Sequence, residues 1–279
     1  MFENPAEQIR NQLIHMYTRS ELRTFVTLIL KDVCNLSLSD IVACKFNELS
    51  DKEKQKINCI VNRLKNNEPI QYILGKTEFY GLDFKINSSV LIPRPETEEL
   101  VEWILSDIKN TNPHVLDVGT GSGCIAITIA KHLQYATVDA WDISEEALVI
   151  ARENSRMNHV TVQFSKVDVL EEHYSKKKYD IVVSNPPYIK ESEKEVMDEN
   201  VLNFEPHEAL FVSNEEALIF YDRIADIAKK QLKNGGLLYF EINQTKGEEI
   251  VQLLINKNFQ DVELKKDISG NNRMVKAVK

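Results

Sequence analysis

Apolar side chains recur at helical spacing through the first 72 residues, a stretch that contains no glycine. Ile9, Leu13, Met16 and Tyr17 form one set, Leu22, Phe25 and Ile29 a second, and Ile57, Ile60, Val61 and Leu64 a third. Steps of three and four residues put each set on one face of a helix. "SLSD" and "LSDKEK" offer Ser or Asp as N-cap residues for further helix starts. The pattern predicts a small all-helical domain over residues 1–72. With no glycine loop and no cluster of reactive side chains, its expected role is substrate recognition or support.

The periodicity then changes. "EFYGLDFKINSSVLI" carries β-forming runs on both sides of Gly81, which predicts a hairpin connector over residues 73–92. From 93 to 279 strands and helices alternate. "HVLDVG", "ATVDAWDI", "VTVQFS", "YDIVVSN" and "GLLYFEIN" read as strands. "ETEELVEWILSDI", "CIAITIAKHL", "SEEALVIARENSRM", "EEALIFYDRIADIAKKQL" and "KGEEIVQLLINKN" read as helices. The tail, "DVELKKDISGNNRMVKAVK", adds two strands across a Gly-Asn-Asn turn. This alternation predicts an α/β domain with helices on both faces of one sheet.

Composition narrows the function classes. At 279 residues, 43% hydrophobic and 28% charged, the chain has the make-up of an ordinary soluble protein. No apolar run approaches the roughly 18 residues of a membrane span. The start "MFENPAEQIRNQ" lacks the basic and apolar regions of a secretory signal, so a cytoplasmic protein is expected. A net charge of −9 is unsuited to wrapping duplex nucleic acid, so no stable binding of nucleic acid or membrane is expected. The run Lys176 to Lys178 reads as a solvated loop. Cys34, Cys44, Cys59 and Cys124 are scattered without metal-ligand spacing, which predicts neither zinc nor a disulfide framework.

Two motifs carry chemistry. "VLDVGTGSGCIAI" places Gly119, Gly121 and Gly123 between a buried strand and a helix, where glycines permit a tight turn and close backbone approach to a ligand. Cys124 stands where the dinucleotide fingerprint has its third glycine, and Asp117 adds a carboxylate just before the loop. That carboxylate suits an amino-bearing or cationic ligand better than a pyrophosphate. Asp142 ends the next strand, where an acid grips ribose hydroxyls, and Asp168 follows the strand after that, where it could accept from an adenine amino group. Together these residues favour S-adenosylmethionine over a nicotinamide cofactor.

"DIVVSNPPYI" then stops a buried strand at Asn185 with two prolines. Pro186 and Pro187 cannot donate to a ladder, so the backbone turns away with its carbonyls free. The Asn185 side-chain oxygen and the Pro186 carbonyl become two preset acceptors for a planar NH2 group, and Tyr188 offers a stacking face. In "LIPRPETEELV", Arg94 is held extended between Pro93 and Pro95, in a segment expected to close over the cofactor and shape the substrate channel. Glu205 and His207 in "FEPHEALF" are expected to tie a loop beside the substrate.

At these residues the chain resembles the class I S-adenosylmethionine-dependent methyltransferases, and more narrowly the release factor glutamine methyltransferases of the HemK/PrmC family. The resemblance covers nearly the whole length and rests on "QYILGKTEFYGL", "LIPRPETEELV", "VLDVGTGSGCIAI", "IVVSNPPYI" and "FEPHEALF". It implies a Rossmann-like seven-stranded sheet preceded by a small helical domain. It further implies N5-methylation of the glutamine in the Gly-Gly-Gln motif of class 1 peptide chain release factors, with S-adenosyl-L-methionine as donor. Gly119, Thr120, Gly121, Ser122, Gly123 and Asn185 would contact the donor, Asp142 its ribose and Asp168 or a neighbour its adenine. Asn185, Pro186, Pro187 and Tyr188 would hold the substrate amide, with Asn185, Pro186 and Tyr188 as the catalytic set and Arg94 beside them. The chain is expected to act as a monomer. "NPPY" alone is shared with DNA-adenine and other amino methyltransferases, which flip a base into such a pocket, so a nucleic-acid substrate is the alternative. A nonenzymatic S-adenosylmethionine-binding protein has no need of an NH2 clamp.

Overall fold

The computed structural model describes residues 4–108, 111–171, 176–213 and 216–279. It divides into two compact units, Met1–Gly75 with Asp198–Phe204, and Lys76–Met197 with Glu205–Lys279.

The first unit contains α1 (Pro5–Leu13), α2 (Arg19–Cys34), α3 (Leu38–Val42), α4 (Asp51–Lys65) and α5 (Ile70–Leu74). Thr18 with Glu21, and Ser50 with Glu53, form reciprocal capping boxes on α2 and α4. Such caps contribute about 1 kcal/mol each by pairing amides that the helix leaves free. Ser37 caps α3 through the Asp40 amide, so both cap patterns read from the sequence mark helix starts. The fully buried Ile9, Leu13, Ile29, Val61 and Leu64 meet in one core. Met16 does not join it: α1 ends at Leu13, which leaves Met16 in the following turn and 45% exposed. Residues 1–3 of the expected bundle lie outside the described residues.

The second unit opens with the antiparallel hairpin β1 (Lys76–Phe79) and β2 (Leu82–Lys85), which turns at Gly81 with φ +73°. There follow α6 (Pro95–Asp107), β3 (His114–Val118), α7 (Cys124–His132), β4 (Thr137–Asp142), α8 (Glu145–Met157), β5 (Gln163–Lys166), β6 (Tyr179–Ser184) and β7 (Ile189–Lys190). After α9 (Glu199–Phe204), which belongs to the first unit, come α10 (His207–Leu210), β8 (Phe211–Val212), α11 (Ile219–Gln231), β9 (Leu232–Glu241), α12 (Gly247–Asn256), β10 (Gln260–Lys266) and β11 (Asn272–Val278).

Seven strands form one sheet in the order β10-β11-β9-β6-β3-β4-β5. Six strands of this sheet run in one direction, and β11, between β9 and β10, runs against them. Successive residues of β6 show why the strands read as continuous apolar runs. Ile181 and Val183 enter one core with α6 and α7, while Val182 enters the other with α11 and α12. Both faces are covered, as a parallel sheet requires. Among the described residues, no helix is long and apolar enough to cross a membrane.

Element boundaries depart most from the sequence pattern at β5, β9 and α11. β5 starts at Gln163 because the Val160 amide and carbonyl are taken by Ser155 at the end of α8. β9 starts at Leu232, which pairs with Tyr179, and the register then shifts so that Leu237 pairs with Ile181. Gly235, at φ +74°, lies within that irregularity. Leu232 is therefore strand, and α11 runs only from Ile219 to Gln231. Glu215, where that helix was expected to begin, lies outside the described residues.

Asn154 on α8 locks the hairpin to the sheet end. Fully buried, it accepts from the Lys85 amide at 2.7 Å and donates to the Lys85 and Ser122 carbonyls at 2.9 Å. Asn154→Ala strands three backbone groups. It is expected to lower unfolding stability by about 3 kcal/mol, seen as a reduced urea midpoint with an unchanged m value.

Candidate active site

β3 is the switch point of the sheet. From it the chain moves outward through β4 and β5, then returns to its other side through β6 and β9. Such a reversal opens a crevice at the carboxyl ends of the two strands that flank it, here β3 and β6. Val118 pairs with Ser184, and the Ser184 hydroxyl donates to the Val118 carbonyl at 2.7 Å. Gly119 and Asn185 therefore leave the sheet side by side, and a cavity of about 680 Å³ opens between them.

The glycine loop forms one rim. The Gly119 and Thr120 amides both donate to the Trp141 carbonyl at 2.9 Å, which pins the loop to the end of β4. Gly119 and Gly121 line the cavity at φ +73° and +55°, with open space where a Cβ would stand. Gly123 has another role. A Cβ there would meet Ile127 Cδ1 at 2.8 Å and Ala151 Cβ at 3.2 Å, so its absence lets α7 and α8 approach. Thr120 and Ser122 are buried behind the wall. The Thr120 hydroxyl donates to Asp117 Oδ2 at 2.6 Å, and the Ser122 carbonyl is held by Asn154.

Asp142 braces the loop from the next strand end. Its Oδ2 accepts from the Gly121 amide at 2.7 Å and its Oδ1 from the Ser144 amide at 3.0 Å. Burial raises its pKa, against the pull of those bonds. Asp168 also lines the cavity, its Oδ1 turned by the Leu170 amide at 2.8 Å. Beside it Ile143, Val167, Val169, Leu170 and Phe220 make an apolar wall, and the Val169 carbonyl accepts from Arg223 Nε at 2.8 Å. Asp117 lies below the loop with no exposed surface. Desolvation pushes its pKa up to about 7, against the pull of the Thr120 hydroxyl and the Ala126 amide.

Asn185, Pro186 and Pro187 form the opposite rim. Asn185 Nδ2 stands 3.5 Å from Thr97 Oγ1 on α6. Tyr188 is off the wall: its hydroxyl lies 3.4 Å from Glu241 Oε1, and its carbonyl accepts from Asn243 Nδ2 at 3.4 Å. Burial, then the Glu241 charge, pushes the Tyr188 hydroxyl pKa up. Arg94 is also off the wall, donating from Nη2 to Glu205 Oε1 at 2.5 Å. Glu205, whose side chain is 1% exposed, accepts the Ile92 amide at 3.4 Å as well. This pair clips "IPRPE" to "FEP", beside the wall residues Leu91 and Pro206. His207 packs its ring edge against Phe211, 5.2 Å between centroids.

Several wall residues are not singled out by the sequence pattern: Ser89, Ile143, Glu146 and Phe220 lie outside the motifs that carry chemistry, and Leu91 and Glu208 lie inside "LIPRPETEELV" and "FEPHEALF" without being named there. Four carboxylates, from Asp142, Glu146, Asp168 and Glu208, reach the wall, and among the described residues no lysine or arginine does. Such a surface favours a cationic ligand and disfavours a phosphate.

A switch-point cavity between a glycine loop and an Asn-Pro-Pro-Tyr turn, on this seven-stranded sheet, defines a methyltransferase. Residues 97–204 match the methyltransferase small domain family, and residues 7–75 match the PrmC N-terminal domain. A release factor glutamine methyltransferase from Flavobacterium psychrophilum is 43% identical over 99% of this chain and 98% of its own. One from Bacteroides thetaiotaomicron is 45% identical over 96% and 97%. The chain belongs to the release factor glutamine methyltransferase family. A crystal structure of a methyltransferase from Pyrococcus furiosus superposes with a TM-score of 0.55 at 17% identity, covering 78% of this chain and 96% of that one, a likeness of fold.

Proposed function

We propose that the protein methylates N5 of the glutamine in the Gly-Gly-Gln motif of class 1 peptide chain release factors, with S-adenosyl-L-methionine as donor. The observation that carries this reading is the placement of Asn185 and Pro186 on an acidic cavity wall beside the glycine loop, in a chain of this family. The donor fits the wall: the positions above Gly119 and Gly121 are open, and four carboxylates but, among the described residues, no lysine or arginine line the cavity. When bound, S-adenosylmethionine supplies a methyl carbon made electrophilic by its sulfonium.

The chain's own residues do the rest. Gly119 and Gly121 bring backbone close to the ligand, Asp142 accepts from ribose hydroxyls, and Asp168 accepts from the adenine amino group. The Asn185 side-chain oxygen and the Pro186 carbonyl take the two hydrogens of the glutamine amide. An amide nitrogen is a poor nucleophile because its lone pair is delocalised. Acceptors whose bonds strengthen as the nitrogen becomes pyramidal and positive stabilise the transition state selectively. The N-methylated amidium is acidic enough to lose its proton to solvent, so a neutral Asn suffices. The helical unit is assigned to contact with the body of the release factor.

Methyl label should appear on a release factor and on neither the same factor with its Gly-Gly-Gln glutamine changed to alanine nor on plain DNA. Label on DNA would transfer the reading to a nucleic-acid amino methyltransferase, and no label despite donor binding would remove enzymatic function. Arg94→Ala leaves the buried Glu205 carboxylate with a single long amide contact. It is expected to destabilise the clip by about 2 kcal/mol and lower turnover about tenfold. Unchanged donor affinity and unchanged turnover would remove Arg94 from the site.

A further inference from the structure

Glu241 was read from sequence only as part of a strand, yet it sits behind both ends of the Asn-Pro-Pro-Tyr turn. Ser184 pairs with Phe240, so Glu241 at the end of β9 is level with Asn185 at the end of β6. The residue is 1% exposed. Its Oε2 accepts the Thr97 hydroxyl at 2.7 Å, and its Oε1 lies 3.4 Å from the Tyr188 hydroxyl. Neither Glu241 nor Thr97 lines the cavity.

We propose that Glu241 is a positioning residue that sets the polarity of the substrate clamp, orienting the Asn185 amide through Thr97 and holding the turn through Tyr188. This rests on the methyl-transfer reading above. An ionised carboxylate only accepts, so the Thr97 hydrogen must point at Glu241. The Thr97 oxygen is then an acceptor on its other side, where Asn185 Nδ2 stands 3.5 Å away. With its NH2 turned back to Thr97, Asn185 presents its oxygen away from Thr97, free to accept from a substrate amide. A donor at position 241 reverses the relay. Thr97 then accepts from residue 241 and points its hydrogen at Asn185. The Asn185 amide turns over, and an NH2 group confronts the substrate NH2. A clamp of two acceptors becomes one acceptor and one opposing donor.

The surroundings make this switchable. Burial pushes the Glu241 pKa up to about 6, the Thr97 bond and the Arg273 charge on β11 pull it down, and Glu96 at the start of α6 pushes it up. Tyr188 faces it from the turn, and the Tyr221 hydroxyl on α11 donates to the Glu241 carbonyl at 3.2 Å. Arg273 itself is paired with Asp267 at 3.2 Å. Turnover should therefore fall as pH drops through about 6, as the carboxylate becomes a donor.

The test compares wild type with E241Q, T97V and T97S. E241Q and T97V are expected to lose about 100-fold in single-turnover methylation of a release factor. Donor affinity should stay within about threefold. T97S, which keeps the hydroxyl, should recover most of the rate, and E241Q should lose the acid limb of the pH profile. A wild-type rate in E241Q, or a loss of donor affinity that matches the loss of rate, overturns the proposal. A second readout needs no substrate. The side-chain NH2 resonances of Asn185, assigned by its replacement, should titrate with a midpoint near pH 6 in the wild type and not in E241Q. If no substrate is methylated but this titration is present, the methyl-transfer reading fails and the relay stands. If methylation proceeds and the titration is absent, the relay fails alone.

Discussion

Asn185→Ala is expected to slow methyl transfer by about 100- to 1,000-fold while leaving donor affinity within about threefold. The substitution removes a side-chain acceptor beside Pro186 on the cavity wall and leaves the loop's own bonds to Trp141 and Asp142 intact. The loss belongs to the transition state, where the acceptor's bond to a pyramidal, positive nitrogen is strongest. It should appear in the single-turnover rate rather than in donor binding measured by calorimetry. A variant that turns over like wild type would empty the clamp of meaning. A variant whose donor affinity falls as far as its rate would make Asn185 a cofactor residue instead.

Asp142→Ala should weaken donor binding by about 30- to 150-fold. The change removes the proposed acceptor for ribose hydroxyls and two charge-assisted bonds to the Gly121 and Ser144 amides, a loss of about 2 to 3 kcal/mol. Asp142→Asn should be nearly as damaging despite its matched size, because an amide NH2 facing the Gly121 N–H sets donor against donor. Burial raises the Asp142 pKa, so affinity should begin to fail on the acid side at a higher pH than an exposed aspartate would dictate. Calorimetric titration of donor across pH measures both effects. A donor affinity within twofold of wild type in Asp142→Ala would take ribose recognition away from this residue.

The parts of the site that the sequence reveals are those whose cause is local. Gly119 and Gly121 stand between a buried strand and a helix, and Asn185 stands between a buried strand and two prolines, so a short window carries each signal. The sheet likewise follows from alternation that each element displays by itself. Glu205 and Ile92 lie 113 positions apart and meet only because the sheet order brings their segments together. No window contains both. Asn154 sits in "SEEALVIARENSRM" among charged neighbours, where its amide resembles the solvent-facing ones, and only the approach of β2 buries it. Glu241 is hidden in the same way. A carboxylate at a strand end usually faces water, and Thr97 from α6 and Arg273 from β11 are what make this one a buried acceptor.

The acidic lining has a kinetic side. In the reaction proposed above, Asp142, Glu146, Asp168 and Glu208 attract the donor's sulfonium, and transfer leaves a thioether without that charge. The same walls that load the cavity thus lend nothing to retaining what the reaction leaves behind. Discrimination between fresh and exhausted donor then becomes a matter of ionic strength. Added salt, by screening the exposed members of the four, should narrow the gap between the two affinities and deepen product inhibition.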